Sequence, residues 1–594
     1  MKSFIISLNF RSANVCFTFA LLMNFFFSSS ISNAQDVAAL NAANKSVTYD
    51  QVISKYKLLD EKFAQAKLLE MGMTDIGRPL HLFVISSDEQ FSPEQAKKSG
   101  KLVFLINNAI HPGEPDGVDA CIRYSERILA DKKALPSNVV ILVIPFYNID
   151  GAMKRGCCSR ANQNGPEAYG FRGNARNLDL NRDFIKCDSE NAKSFTALFR
   201  AWDPDVFLDT HVSDGSDYQY TMTLISTQHN KLGGPAGKFM KTTFTPALFE
   251  KMKAAGDEMA PYVNTARYDD TPENGIYGFL ENPRFASGYA ALFNCFAFVS
   301  ETHMLKPFDA RVKSTLRLID IMVKYSSENA GTIQEKRKQT NAYFKSLKEH
   351  VLGWESDTTI YDTIMFKGYE SYRSKSKVTG TDQLYFDQTR PYTRSIKLYD
   401  EYKPTESVTV PAYYIIPQAW KSVIERMILN KVELIRFSSD TSLMVEQYII
   451  KDFKTGKDPY EGHYMHSNVQ AEKRTIRMNY YKGDYLIPTN QDAIRYIVET
   501  CEPTAPDSWF AWGFFDSILQ QKEWFSSYVF DEMAASILEK NPGLKKELET
   551  KRAADKDFAE NGFAQLYFIY KNSAWFEDFR VFPIARFRGA GQEK

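Results

Sequence analysis

Two side chains able to bind a metal stand three residues apart in KLVFLINNAIHPGE, Lys101 to Glu114: His111 and Glu114. The apolar run Leu102–Ile110 reads as a buried strand, and Pro112 and Gly113 turn the chain where it ends. Imidazole and carboxylate on a turn at a strand's carboxyl end is how an α/β sheet hangs a zinc site. A lone His-x-x-Glu is weak, so the chemistry depends on what joins it. A third ligand is available at His211, where the short strand Val206–Thr210 stops. His111, Glu114 and His211 would leave a fourth position for water, as catalytic rather than structural zinc requires. Such a water sits near pKa 7. Asp179, in NLDLNRDF, is placed to accept from the second ring nitrogen of His111. Beside it, Asn181 and Arg182 suit a substrate carboxylate, with Arg182 as a two-pronged donor. Glu301 ends the apolar strand in FVSETHML, where a carboxylate could take the proton from zinc-bound water and pass it to a leaving amine. His303, two residues on, is a rival ligand or a supporting residue.

The elements around these residues read as an α/β domain. Val47–Glu70 looks helical. MGMTDIGRPLHLFVIS is a turn at Asp75–Pro79 leading into a strand at Leu80–Ile85, and Ser86–Gly100 is a polar loop. A helix spans about Asp116–Asp131, followed by the all-apolar strand Asn138–Tyr147. Apolar runs alternating with helices imply a parallel or mixed sheet covered on both faces. Residues 151–181 form a long loop. Helices follow at Ser189–Trp202, Pro246–Val263 and Phe308–Tyr325, with a strand at Phe296–Ser300.

Lys+Arg and Asp+Glu are equal at 73 each, so no net field recommends nucleic acid or an anionic membrane as partner. Lys2 and Arg11 precede the apolar Val15–Phe27 and then SSSISNAQD. That layout is a secretory signal cleaved after Ala34, and the apolar run is short for a membrane span. The mature protein is expected outside the cytoplasm, secreted or periplasmic, with no stable membrane span after cleavage. Export permits disulfides, and Cys157 or Cys158 with Cys187 is the pairing to test against buried free thiols. The expected organisation is 1–34 signal, 35–335 catalytic domain, 336–350 linker helix, 351–489 a mostly antiparallel β-rich module, and 490–594 a mainly helical region. His463 and His466 lack a clear third ligand, and the aromatic density of Trp509–Trp524 reads as buried helix packing. No His-Glu-x-x-His, GxxxxGK[ST], GxGxxG or Gly-x-Ser-x-Gly motif occurs.

Over about residues 45–330 the chain resembles the M14 zinc metallocarboxypeptidases, to which carboxypeptidase A belongs. The motifs are GRPL at 77–80, HPGE at 111–114, NIDG at 148–151, LDLNRDF at 178–184, DTH at 209–211 and ETH at 301–303. The second half is similar to extensions of some secreted bacterial members. The resemblance implies a mixed twisted sheet flanked by helices, one Zn2+ held by His111, Glu114 and His211, and Glu301 as general base. It implies that Asn181 and Arg182 hold the terminal carboxylate and that Arg160 stabilises the oxyanion, with Arg172 and Arg176 as rivals. Tyr277 fits the tyrosine that closes over substrate, with Tyr289 competing. Gly113 departs from a family arginine. Arg284, if it points inward, would favour an acidic terminal residue such as the glutamate of cell-wall muropeptides. The expected activity is hydrolysis of the C-terminal peptide bond of peptides, muropeptides included. The alternatives are an amidohydrolase of the same fold acting on N-acyl amino acids and a catalytically silent wall- or partner-binding protein.

Overall fold

The computed structural model describes residues 36–131, 133–267, 269–577 and 579–589. The expected signal segment, 1–34, lies outside them.

The strands in chain order are β1 Ala66–Met73, β2 Pro79–Ile85, β3 Leu102–Asn107, β4 Val139–Ile144, β5 Val206–Ser213, β6 Met222–Ser226, β7 Ala260–Pro261, β8 Ile276–Tyr277 and β9 Phe296–His303. All but β8 form one sheet of order β1-β2-β4-β3-β5-β9-β6-β7. Its centre, β4-β3-β5-β9, is parallel, while β1 and β2 add antiparallel at one side and β6 at the other. The sheet is the mixed, helix-covered one that the apolar runs predict.

Period-two alternation divides each central strand between two cores. On β3, Leu102, Phe104 and Ile106 pack to one face and Val103 and Leu105 to the other; β4 alternates likewise. The first core is closed by the helices Asp116–Ala130 and Phe308–Glu328. The helix Glu190–Trp202 covers the second face, but it is joined there by distant sequence. Tyr414, Ile416, Met427, Tyr448, Trp509, Trp512 and Phe582 belong to the same buried cluster as Leu105, Leu142 and Phe207. The chain beyond residue 349 thus shares a hydrophobic core with the main sheet.

That second half has β10 Glu349–Ser356, β11 Asp362–Lys375, β12 Asp382–Tyr399, β13 Tyr402–Thr409, β14 Tyr413–Ile416, β15 Ile435–Arg436, β16 Thr441–Thr455, β17 His466–Tyr480, β18 Tyr485–Pro488 and β19 Ala585–Phe587. Six form an antiparallel sheet, β15-β18-β14-β19-β16-β17. β11 and β12 make a long hairpin, and the end of β12 pairs in parallel with β8. Four helices from Ser527 to Lys571 pack on their own cluster around Phe530, Leu548 and Tyr570. Among the described residues no helix is long and apolar enough to cross a membrane.

Local differences from the sequence reading have local causes. The predicted helix to Glu70 stops at Lys62, and Ala66–Met73 pairs with β2 as a hairpin, so the turn at Asp75 is its tip. Ser86–Gly100 contains the helix Pro93–Ser99, started by a Ser92–Gln95 capping box and ended by Gly100 at φ 68°. Within Trp509–Trp524, Trp509, Phe510, Trp512 and Phe515 are buried in irregular turns, not α-helix, and Trp524 is exposed. Cys187 is a buried free thiol, its sulfur 3.7 Å from the Thr196 hydroxyl, and Cys157 bonds to its neighbour Cys158. The Cys157 or Cys158 to Cys187 pairing is therefore not formed.

Candidate metal centre and substrate cleft

Each ligand candidate sits where a parallel strand ends. β3 stops at Asn107, and the turn closed by the Glu114 N–H on the His111 carbonyl, 2.8 Å, turns both side chains to one point before the helix at Asp116 begins. His211 lies on β5, and the parallel register puts Glu301 of β9 directly beside it. Period two then places Asp209 on the same face as His211.

The geometry separates the two nitrogens of each ring. His111 Nε2 is 2.9 Å from Asp179 Oδ1, and His211 Nε2 is 3.0 Å from Asp209 Oδ2. Both Nδ1 atoms face Glu114, at 3.3 Å for His111 and 3.1 Å for His211. The ring centroids are 4.9 Å apart, and one donor atom from each of His111, Glu114 and His211 lies within 4.8 Å of the others. His111 Nδ1 is buried without a hydrogen-bond partner. A buried polar atom left unpaired costs free energy unless something satisfies it. Two imidazole nitrogens and one carboxylate, each ring braced by an outer carboxylate, suit a single zinc ion.

Electrostatics follow from the crowding. Against the burial that would raise it, Arg160 and the two histidines hold the Glu114 carboxyl well below its ordinary value. Burial would lower His211, but Asp209 and Glu114 raise it well above the usual imidazole range. In a site without metal, burial, opposed by His211 and reinforced by Glu114, Asp214 and Glu281, pushes Glu301 up to about 8. A carboxyl displaced this far, in a cleft beside a metal triad, is the pattern of an acid–base group.

A cavity of about 220 Å³ opens over these residues, lined by Arg160, Arg172, Asn181, Arg182, Tyr262, Phe279, Glu281, Phe285 and Glu301 among others. Arg160 Nη1 is 2.9 Å from Glu114 Oε1. A Cβ at Gly113 would stand 2.5 Å from Arg160 Cδ, so the glycine is what admits this arginine. Arg172 donates to Asp179 Oδ2 at 2.9 Å and stands 3.7 Å from Glu114, whereas Arg176 points away, to the Asp188 carbonyl. Arg182 lies over Phe285, 4.4 Å from its centroid, and Asn181 Oδ1 accepts from Ala286 N–H at 3.2 Å.

Three candidates lie elsewhere. Tyr277 pairs with β12 and stacks on Tyr399, centroids 4.9 Å apart, outside the cavity lining. Tyr289 is fully buried and donates to Asn430. Arg284 turns to Asp507, which accepts from its Nε and its backbone N–H at 2.9 Å each. The inward Arg284 is thus corrected: the buried Asp507 carboxylate requires a counter-charge and takes it. His303 is buried between Ser216, Leu305 and Tyr218, and burial lowers it to about 4, so it stands neutral outside the triad. Tyr262, Phe279 and Glu281 line the cavity without having been singled out. Asp209 was quoted only within DTH, and its spacing of two from His211 on a strand is the signal that gives it a role. A second cavity of about 420 Å³ lies behind Tyr262 and Phe279, walled partly by Ile364, Met365 and Leu398.

Comparison with known proteins bears on the same segment. Residues 53–209 match the family model Peptidase_M14, zinc carboxypeptidase. The chain is 21% identical over 462 residues to Carboxypeptidase 2 of Trichophyton equinum, covering 74% of this chain and 78% of that protein. Carboxypeptidase 2 of Trichophyton rubrum is 21% identical over 437 residues, 70% and 74% of the two chains. Among solved structures, a metallo-carboxypeptidase from Pseudomonas aeruginosa aligns at 15% identity and TM-score 0.37, over 48% of this chain and 70% of that one. Carboxypeptidase A from Helicoverpa armigera aligns at 14% and 0.36, over 50% and 80%. The match of residues 53–209 to the zinc carboxypeptidase model, together with the relatives named carboxypeptidase, implies a hydrolase acting on peptide bonds.

Proposed function

We propose that this protein is an exported zinc carboxypeptidase that removes the C-terminal residue of peptides. The observation that carries the reading is the convergence of His111, Glu114 and His211 on one point beside Glu301. Asn181 and Arg182 bind the terminal carboxylate at one side of the cavity, with the Arg182 guanidinium fixed over Phe285. The released side chain faces Tyr262, Phe279 and Phe285. Zinc, when bound, supplies Lewis-acid polarisation of the scissile carbonyl and an acidified water. Glu301 takes the water's proton and delivers it to the leaving amine. Arg160 and Arg172 bring positive charge to the wall where the oxyanion develops. The muropeptide preference depended on an inward Arg284, so the proposal extends to peptides generally. Export is supported by the charged and apolar pattern of residues 1–34.

The test is a mass-spectrometric digest of a peptide library containing wall fragments, with wild-type protein and Glu301→Gln, each assayed for zinc. Wild type is expected to release single terminal residues in a chelator-sensitive way. Glu301→Gln should bind zinc and be slower by about 10²- to 10⁴-fold. Release from N-acyl amino acids only, or zinc-loaded protein with no hydrolysis, would reject the proposal.

A further inference from the structure

We infer that Glu461, in the second half of the chain, is a positioning residue for the substrate clamp: it fixes the turn at Asp179 from which Asn181 and Arg182 project. The identity of the clamped group rests on the peptidase reading; the contact itself does not.

Glu461 sits at the tip of a two-residue turn. Tyr460 N–H donates to the His463 carbonyl at 2.7 Å and His463 N–H returns to the Tyr460 carbonyl at 3.1 Å. Both residues between them have positive φ, 52° at Glu461 and 85° at Gly462. A left-handed conformation suits Gly462 but is disfavoured for a residue that carries a side chain. Glu461 holds it while its Oε2 accepts the Asp179 N–H at 2.7 Å.

Asp179 is the hub of the clamp. Its Oδ1 accepts from Asn181 N–H and lies against His111 Nε2, each at 2.9 Å, and its Oδ2 accepts from Arg172. With the side chain so committed and the carbonyl accepting from Arg182 N–H, the N–H of Asp179 is held from outside its own loop, by Glu461.

The same grip continues along the segment. His463 Nε2 is 2.6 Å from Asp188 Oδ2, and Arg426 Nη2 is 2.8 Å from Asp188 Oδ1. Asp507 anchors Arg284, whose carbonyl accepts from Phe184 N–H. Both ends of Asp179–Asp188 are thus tied to the second half, and Glu461 is the tie that stands one residue from the zinc triad.

The experiment uses full-length, zinc-loaded protein carrying Glu461→Ala or Glu461→Gln. Glu461→Ala is expected to raise KM about 10-fold with kcat within about twofold, the effect of one lost charge-assisted hydrogen bond. Glu461→Gln, whose amide oxygen still accepts, should stay within about twofold of wild type. Zinc affinity, measured by competition with a chromophoric chelator, should fall about 3- to 10-fold in Glu461→Ala, because Asp179 orients His111. Wild-type KM and zinc affinity in Glu461→Ala, or equal losses in both variants, would overturn the inference. If wild type binds zinc but cleaves no peptide, the peptidase reading fails. Zinc affinity then decides for Glu461 alone: a fall in Glu461→Ala supports the inference and no change overturns it.

Discussion

The histidines gathered at the candidate metal centre and those of the second half are placed in different ways. At the edge of the main sheet, His111 Nδ1 makes no hydrogen bond, with Glu114 Oε1 3.3 Å away, and His111, Glu114 and His211 bring their donor atoms to one point. In the second half, histidines of the same type are paired. His463 bonds to Asp188, and His466 sits between the Thr455 hydroxyl and Asp516. Arg586 reaches Glu446 and Glu502. Ring nitrogens that converge with a carboxylate on one point mark a place for a ligand; ring nitrogens each paired with its own protein group hold local structure.

The largest test of that division is to remove the second half. Its aromatic and aliphatic side chains complete the second core of the main sheet. A chain ending after Ser346 would expose Leu105, Leu142 and Phe207 to solvent or collapse. It should show no cooperative thermal transition by circular dichroism and no zinc binding. A soluble, cooperatively melting fragment would show that the shared core is dispensable.

Next in size is the contrast between histidines. His211→Ala removes a donor nitrogen and should weaken zinc binding more than about 100-fold, beyond the loss usual for an outer partner. His466→Ala should leave zinc affinity and stoichiometry unchanged. Equal losses in a chelator competition would erase the distinction.

A smaller effect is expected where the halves are bolted together. Arg495, on the helix Ile494–Cys501, is buried and donates to the carbonyls of Lys231, Leu232 and Ala291 and to Asn294 Oδ1. Arg495→Ala removes this donor from the Lys231 and Leu232 carbonyls and Asn294 Oδ1, while the Ala291 carbonyl keeps the Asn294 N–H. Denaturant unfolding should show a loss of about 2–4 kcal/mol, with zinc affinity retained. A loss under about 1 kcal/mol would mean that the joint contributes little.

How much of this was readable in the sequence depends on the distance over which each feature is set. His111 with Glu114, and Asp209 with His211, are fixed by a turn and a strand period, so a short window holds them. The pairing of His211 with Glu301 follows once both are placed at ends of parallel strands. Tyr277 and Arg284 rest away from the cavity for one shared reason. The loop that carries them is shaped by residues more than 100 positions away, β12 pairing with β8 and Asp507 binding Arg284. The Ser92–Gln95 capping box was within reach of a local reading. The strand β1 was not, because Lys67–Glu70 fits a helix equally well until β2 is found beside it.

The finest test uses pH on a carboxyl of the catalytic half. Asp119, on the helix Asp116–Ala130, is fully buried; Oδ1 accepts from Asn41 at 2.6 Å and Oδ2 has no partner among the described residues. Burial, only partly opposed by Asn41 and the Val47 backbone, pushes its carboxyl up to about 8. The unfolded chain loses this proton near pH 4, the folded chain near 8. Between those values the folded state carries the extra proton, so stability falls as pH rises, by at most about 1.4 kcal/mol per pH unit. Asp119→Asn, which keeps the shape and cannot ionise, should flatten the slope of denaturant midpoint against pH from 5 to 8. A slope identical to wild type would place the proton elsewhere, and would remove Asp119 from the polar atoms that this half of the molecule leaves unpaired.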